Sequence, residues 1–185
     1  MRNPRYRFCY LLTILLASLF SACSVQINND INKQVFFIKA GDNLNDELTA
    51  IFKFNKSNIT IQLEQGLYFL DKQIELNDLK GISIMGNNAT IIMRENSPVG
   101  NGYGMISFKN CSEIGVENLT FDANRSSRAC REVAAHTFMI VSSNNFNLSK
   151  VSCINNVVDG FIIYSETPEK YETYSWNIKF KNCES

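Results

Sequence analysis

Four short segments at a constant spacing constrain this chain more than any other feature. They align without gaps, and in each of them apolar and polar residues alternate before a turn residue. The segments are residues 82–86, 114–118, 146–150 and 178–182. A second short alternating run follows at once, as in 119–121 and 151–153. A period of two over so few residues predicts short, half-buried strands that meet at a bend.

The repeat also predicts how such short strands become stable. A strand this short cannot bury a face alone, but coils stacked about 4.8 Å apart place every inner side chain above its equivalent in the coil below. The sequence therefore predicts a β-solenoid. From about Val35 to its end the chain resembles the pectate-lyase-like superfamily, whose members are right-handed parallel β-helices with three strands per coil. The expected fold class is all-β, a single-stranded right-handed parallel β-helix.

The two ends of the predicted β-helix differ. Residues 41–52 are expected to form a short helix whose apolar face consists of Leu44, Leu48, Ile51 and Phe52. In the superfamily that the chain resembles, such an N-terminal helix caps the open end of the β-helix, and residues 59–70 resemble its first coil. The last coil stops just after its second strand, although natural proteins normally cover such edges. We therefore expect a β-helix truncated at its C-terminus.

The first residues have the layout of a secretory signal. Three arginines precede an apolar run over 8–20, which is shorter than the roughly 20 residues of a transmembrane helix. Residues 19–23 resemble the lipobox of bacterial lipoproteins, with Phe20 where that motif usually has leucine, and the resemblance implies a lipid on Cys23. An ordinary signal peptide is the alternative. The expected division is a signal peptide over 1–22, a linker over 23–34 and the β-helix over 35–185.

Export by such a signal places the protein in the cell envelope, held at a membrane by the lipid on Cys23. Loss of residues 1–22 removes three of the 18 basic residues and none of the 18 acidic ones, which leaves 15 against 18. The resulting net charge near −3 argues against a nucleic-acid partner.

Neither a metal nor another cofactor is expected. Cys111, Cys130, Cys153 and Cys183 lack the CxxC spacing of a zinc site, so they are expected to be buried small apolar residues, with one disulfide allowed in an oxidising compartment. Calcium takes roughly six to eight oxygen ligands, and the sequence has no corresponding acidic cluster.

Two insertions are expected to frame a groove. Strands of one face are expected to begin at Ile106, Phe138 and Phe161. The chain between the first two of these residues is much longer than the chain between the last two. About nine extra residues therefore lie in 122–136, and a second insertion follows in 165–175. In the superfamily that the chain resembles, the sugar-binding groove runs along this strand between such loops.

Each insertion offers residues for binding a sugar. The first resembles the Asp-Gly-Asn-Arg loop of related β-helix enzymes, with Ala123 in place of the glycine, and Arg125, Arg128 and Arg131 are candidates for holding the carboxylates of an acidic glycan. The alternative is a solvated loop in which Asp122 and Glu132 neutralise the arginines. In the second insertion Tyr171, Tyr174 and Trp176 are candidates for stacking on sugar rings, and ordinary packing against the solenoid is their alternative.

The candidate catalytic residues are His136, Asp159 and Glu166. The step from Phe138 to Phe161 predicts that His136 lies directly above Asp159, where the carboxylate favours the charged imidazole and a proton can be exchanged with a substrate. Glu166 or Asp159 is a candidate for the second carboxylate of a glycoside hydrolase. The alternative is that His136 bonds within a turn and that Asp159 and Gly160 serve the turn itself.

The resemblance implies a polysaccharide-active surface protein, a hydrolase or a lyase acting on an extracellular glycan. One alternative is a non-catalytic β-helix that binds glycan or serves as a surface or adhesion scaffold, and another is an inactive fragment of a longer enzyme. A catalytic centre requires His136, Asp159 and either Glu132 or Glu166 within reach of a common point. Scattered positions favour the scaffold.

Overall fold

The computed structural model describes residues 24–28, 33–95, 97, 103–127 and 135–185. In these ranges the chain forms twelve β-strands and one α-helix, α1, which spans Leu44–Phe54. The strands are β1 Ser24–Asn28, β2 Lys33–Ile38, β3 Ser57–Leu63, β4 Leu67–Leu70, β5 Ile74–Asn77, β6 Lys80–Met93, β7 Tyr103–Lys109, β8 Ser112–Asp122, β9 Ala135–Val141, β10 Asn144–Ile154, β11 Phe161–Tyr164 and β12 Trp176–Lys181. Short 3₁₀ turns occupy Arg125–Ser127 and Tyr171–Thr173.

The strands form two mostly parallel sheets. Sheet A has the order β1-β2-β3-β6-β8-β10-β12, and β4 pairs with the second half of β6. Sheet B has the order β5-β7-β9-β11. The pair β1 and β2 is antiparallel, and the other pairs are parallel. Chain segments that follow one another thus lie side by side in both sheets, which is a β-helix-like architecture.

The register of sheet A confirms the predicted repeat. Val116 pairs with Ile84 on one side and with Leu148 on the other, and Leu148 pairs in turn with Phe180. Each step equals the spacing of the four aligned segments, as the sequence predicts. Inward side chains therefore stack in continuous rows, and these rows form most of the apolar core.

Left-handed backbone marks the bends where the long strands turn from one face to the next. Asn118 within β8, Lys150 within β10 and Asn182 after β12 all have φ between 52° and 54°. Successive members of this set lie one repeat apart in the sequence, so the bend recurs at the same corner. Asparagine tolerates positive φ better than most residues, which accounts for its frequency at these corners.

The helix α1 has the apolar face that the sequence predicts. Leu44, Leu48, Ile51 and Phe52 are all buried and belong to the same core as the strands. The side chain of Asn43 begins the helix by accepting hydrogen bonds from the backbone N–H groups of residues 45 and 46. No helix in the described residues is long and apolar enough to cross a membrane.

Sheet B shows a third insertion, which was not predicted because the predicted strand positions began only at Ile106. Ile74 of β5 pairs with Ile106 of β7, and Ile106 pairs with Phe138 of β9, so these two steps along the chain are equally long. Phe161 of β11 pairs with Phe138 at the shorter step that the sequence predicts. Extra chain therefore enters sheet B before β7 as well as before β9.

Several expectations concern residues outside the described ranges. The signal peptide over 1–22, the lipidated Cys23, Arg128, Arg131, Glu132 and Cys130 all lie there. The segment 23–34, expected to be a linker, contains the strand β1 and the start of β2. Of the cysteines that the structure describes, Cys111 and Cys153 are buried, Cys183 is partly buried, and all three are free thiols.

Candidate functional site

The outer face of sheet B forms a surface groove of about 460 Å³. Inward residues such as Ile74 and Phe108 belong to the core, whereas their neighbours Glu75 and Lys109 point outward, as the alternation of a strand requires. The lining includes Gln73, Glu75, Asn77, Lys109, Tyr164 and Glu166. Because these residues come from β5, β7 and β11 or from chain next to them, the groove crosses the strands.

An ion pair spans the middle of this groove. The Nζ atom of Lys109 lies 2.7 Å from Oε1 of Glu166, and the hydrogen bond from this carboxylate raises the pKa of Lys109. Lys109 is on β7 and Glu166 follows β11, so the pair reaches across β9 at Val141. This accounts for the burial of Val141 on the outer face of the sheet. Both charged side chains remain about two-fifths exposed, so the pair contributes little to stability.

His136 and Asp159 lie in contact, as the predicted register requires. The backbone N–H of Thr137 donates to the carbonyl of Asp159, and Nδ1 of His136 lies 3.1 Å from Oδ2 of Asp159. Nδ1 nevertheless has no hydrogen bond of good geometry in the described residues. The His136 side chain is only 11% exposed, whereas that of Asp159 is 54% exposed.

Glu166 lies far from the histidine. Its backbone N–H donates to Oγ of Ser142, which is well beyond His136 along the direction of β9. At the rise of a strand this separation is roughly 20 Å. Its carboxylate is also paired with Lys109. The structure thus brings together two of the three candidate catalytic residues and leaves Glu166 at the other end of the strand.

The structure describes the first insertion at residues 122–127 and 135–136. Asp122 accepts hydrogen bonds from the backbone of Asn124 and from the side chain of Asn155, so it organises the turn. The alternative of a solvated loop expects this carboxylate to neutralise the arginines. The hydrogen bonds that Asp122 accepts come instead from the two asparagines of the turn. Arg125 is exposed in the 3₁₀ turn that follows.

The second insertion presents its aromatic residues to solvent. Tyr171 is 82% exposed and Trp176 is 56% exposed. The rings of Tyr171 and Tyr174 meet edge to face with their centroids 5.3 Å apart, and the Tyr174 hydroxyl donates to the carbonyl of Pro168. Tyr171 and Trp176 are therefore not closely packed against the strands, which was the alternative for these rings.

Sequence reasoning missed the polar residues on the floor of the groove. Glu75, Asn77 and Lys109 were not singled out, although each occupies an outward position next to a strongly apolar inward residue. Alternation within β5 and β7 was the available signal. It became specific only when both strands were known to lie in one sheet.

Among the described residues, no three histidine, cysteine, aspartate or glutamate side chains come close enough to hold a metal ion.

No protein-family model, no curated protein and no solved structure matches the chain.

Proposed function

We propose that this chain is an exported cell-envelope protein that binds an extracellular polysaccharide along the outer face of sheet B. In this proposal the two sheets are faces of a right-handed parallel β-helix of the pectate-lyase-like type, α1 caps its N-terminal end, and Cys23 carries the lipid that holds it at a membrane.

The observation that carries the proposal is the groove across sheet B. Polysaccharides are long and hydroxylated, and such a ligand needs an extended surface with many donors and acceptors. The groove provides amide, carboxylate and amine groups from successive strands, including Asn77, Glu75 and Lys109. The exposed rings of Tyr171, in the turn after β11, and Trp176, at the start of β12, follow Glu166 in the chain and offer apolar faces for sugar rings.

Binding is favoured over catalysis by the arrangement of the acids. Glu166 is paired with Lys109 and lies roughly 20 Å along the strand from His136. A glycosidase of either stereochemistry needs two carboxyl groups within about 10 Å of each other on both sides of the scissile bond. Asp159 and Glu166 do not meet that requirement, since Asp159 lies beside His136, and the other candidate, Glu132, lies outside the described residues.

A panel of neutral and acidic polysaccharides tests the proposal by affinity electrophoresis and calorimetry. The protein is expected to be retarded by at least one polymer. Replacing both Tyr171 and Trp176 by alanine should weaken that binding on the order of tenfold, which is about 1.4 kcal/mol. The matched control is Phe69→Ala, because Phe69 is an exposed ring on β4 and is not among the residues that line the groove. Equal losses in both variants, or no binding to any polymer, would contradict the proposal.

A second candidate function rests on the contact between His136 and Asp159. A nearly buried imidazole beside a carboxylate is suited to act as the acid-base pair of a lyase or hydrolase. If it acts so, the protein releases reducing ends from the bound polymer, and His136→Gln and Asp159→Asn each abolish release while binding persists. Unsaturated products absorbing in the ultraviolet distinguish a lyase from a hydrolase. Binding without any release leaves the non-catalytic function alone.

A further inference from the structure

A separate cavity of about 330 Å³ lies between α1 and β5. Asn45 and Lys53 line it from the helix, and Lys56 lies just beyond the end of that helix. Lys72 and Glu75 line it from β5 and the chain before it. None of these residues belongs to the candidate catalytic set.

The cavity is positively charged in a chain with no net charge. Three lysines and one carboxylate line it, and none of the lysines forms an ion pair within the described ranges. Lys56 donates to the carbonyl of Asn77 at 3.4 Å, and the Nζ atom of Lys53 lies 5.3 Å from the centre of the Phe54 ring. Neither contact neutralises an ammonium group, so the cavity favours an anion.

Asn45 supplies a second and independent indication of a ligand. Its residue is 5% exposed, and its Nδ2 donates to the carbonyl of Lys72 at 3.2 Å. Its Oδ1 is buried and has no hydrogen-bond donor in the part of the chain that the structure describes. Leaving such a carbonyl unpaired in a buried place is unfavourable. A hydroxyl group is the simplest donor that could satisfy it.

The cavity adjoins the groove on sheet B. Gln73 and Glu75 line both of them, and Lys56 is bonded to Asn77 of the groove floor. A polymer that lies across sheet B therefore reaches the lysines at the edge formed by β5.

We propose that this cavity is a subsite for a negatively charged sugar residue at one end of the bound polysaccharide. The lysines hold its carboxylate or sulfate, and a hydroxyl of the same residue donates to Oδ1 of Asn45. This inference rests on the proposed glycan-binding function and extends it to an acidic ligand.

The test compares a neutral glucan with the same glucan after part of its primary alcohols has been oxidised to carboxylates. Calorimetry at one ionic strength should give the natural protein about tenfold higher affinity for the oxidised polymer. The variant Lys53→Gln, Lys56→Gln, Lys72→Gln should lose this preference and keep its affinity for the neutral glucan. The matched control replaces the exposed residues Lys150, Lys179 and Lys181 by glutamine, which removes the same charge elsewhere.

Each outcome separates this inference from the proposed function. Equal loss of preference in both triple variants indicates general electrostatic attraction, and it overturns the subsite while polysaccharide binding stands. The subsite is also overturned if inorganic sulfate binds the cavity as tightly as the oxidised glucan does, since the ligand is then a small anion. Failure of the natural protein to bind either glucan overturns the subsite, whereas the proposed function is overturned only if no polymer of the wider panel binds.

Discussion

The hydroxyl of Tyr68 shows how one buried polar group is satisfied between stacked strands. Tyr68 lies on β4 and is fully buried, and its oxygen is 2.9 Å from the carbonyl of Ile38 and 2.9 Å from that of Glu64. One hydroxyl proton serves both carbonyls. Burial disfavours the charged phenolate, and it raises the pKa of Tyr68 from 10.0 to about 12.

This pKa predicts a loss of stability at alkaline pH. The phenol of the unfolded chain ionises near pH 10, while that of the folded chain stays neutral up to about pH 12. The stabilisation of the folded state by the neutral phenol is therefore fully present below pH 10 and is lost as the pH rises from 10 to about 12. Its magnitude is about 3 kcal/mol for a shift of two pKa units.

Urea unfolding of the natural protein and of Tyr68→Phe at several pH values measures this loss. The substitution should lower the free energy of unfolding by about 1 kcal/mol near neutral pH, because a hydrogen bond is removed. Between pH 10 and 12 the natural protein should lose more stability than the hydrogen bond contributes, so the two curves cross and Tyr68→Phe becomes the more stable protein. Parallel curves would show that the phenol does not titrate differently in the folded state.

At the scale of the element, two glycines on neighbouring strands test how closely the strands approach at a bend. A Cβ atom on Gly86 of β6 would lie 2.3 Å from the carbonyl oxygen of Asn118 and 2.8 Å from the Leu119 side chain. A Cβ atom on Gly115 of β8 would have no neighbour nearer than Oγ of Ser83, at 3.9 Å. The same substitution therefore meets backbone in one strand and open space in the other.

We expect Gly86→Ala to destabilise the protein by about 1–3 kcal/mol, as overpacking does. Gly115→Ala is the matched control and should be neutral or stabilising by up to about 1 kcal/mol, because the unfolded chain loses freedom. Denaturant midpoints measure both. If Gly86→Ala is tolerated as well as Gly115→Ala, the two strands can separate at the bend at little cost.

At the scale of the whole molecule, stacking makes stability depend on position along the stack. Each strand is stabilised mainly by its two neighbours, as in other repeat proteins. Leu148 of β10 has partners in β8 and β12 and is 0% exposed. Phe180 of β12 occupies the next position in the same row, yet it is 43% exposed.

Equivalent truncations in this row should therefore have unequal effects. Leu148→Ala should cost about 2–5 kcal/mol, which is typical of a fully buried leucine. Phe180→Ala removes a larger side chain but should cost less, because much of its ring is already in water. Denaturant unfolding followed by circular dichroism measures the two free energies. A larger loss in Phe180→Ala would contradict a gradient of burial along the row.

Much of the fold could be predicted from the sequence. The constant spacing of the four aligned segments predicted the register of β6, β8, β10 and β12, and the apolar pattern of 41–52 predicted α1. The shorter step from Phe138 to Phe161 predicted that His136 stands beside Asp159. These features were accessible because a parallel stack repeats one local pattern, so counting residues is enough to align its strands.

The sequence by itself therefore determined the periodic part of the molecule: the strands and bends of the aligned segments, the helix α1 and the register of β6, β8, β10 and β12. Only the tertiary structure decided how side chains far apart in the chain meet across that frame. The Lys109–Glu166 pair over β9 and the lysine cavity between α1 and β5 depend on side-chain reach and on the path of insertions. Insertions have no period, and outward side chains are not constrained by a core, so no count of residues could have placed them.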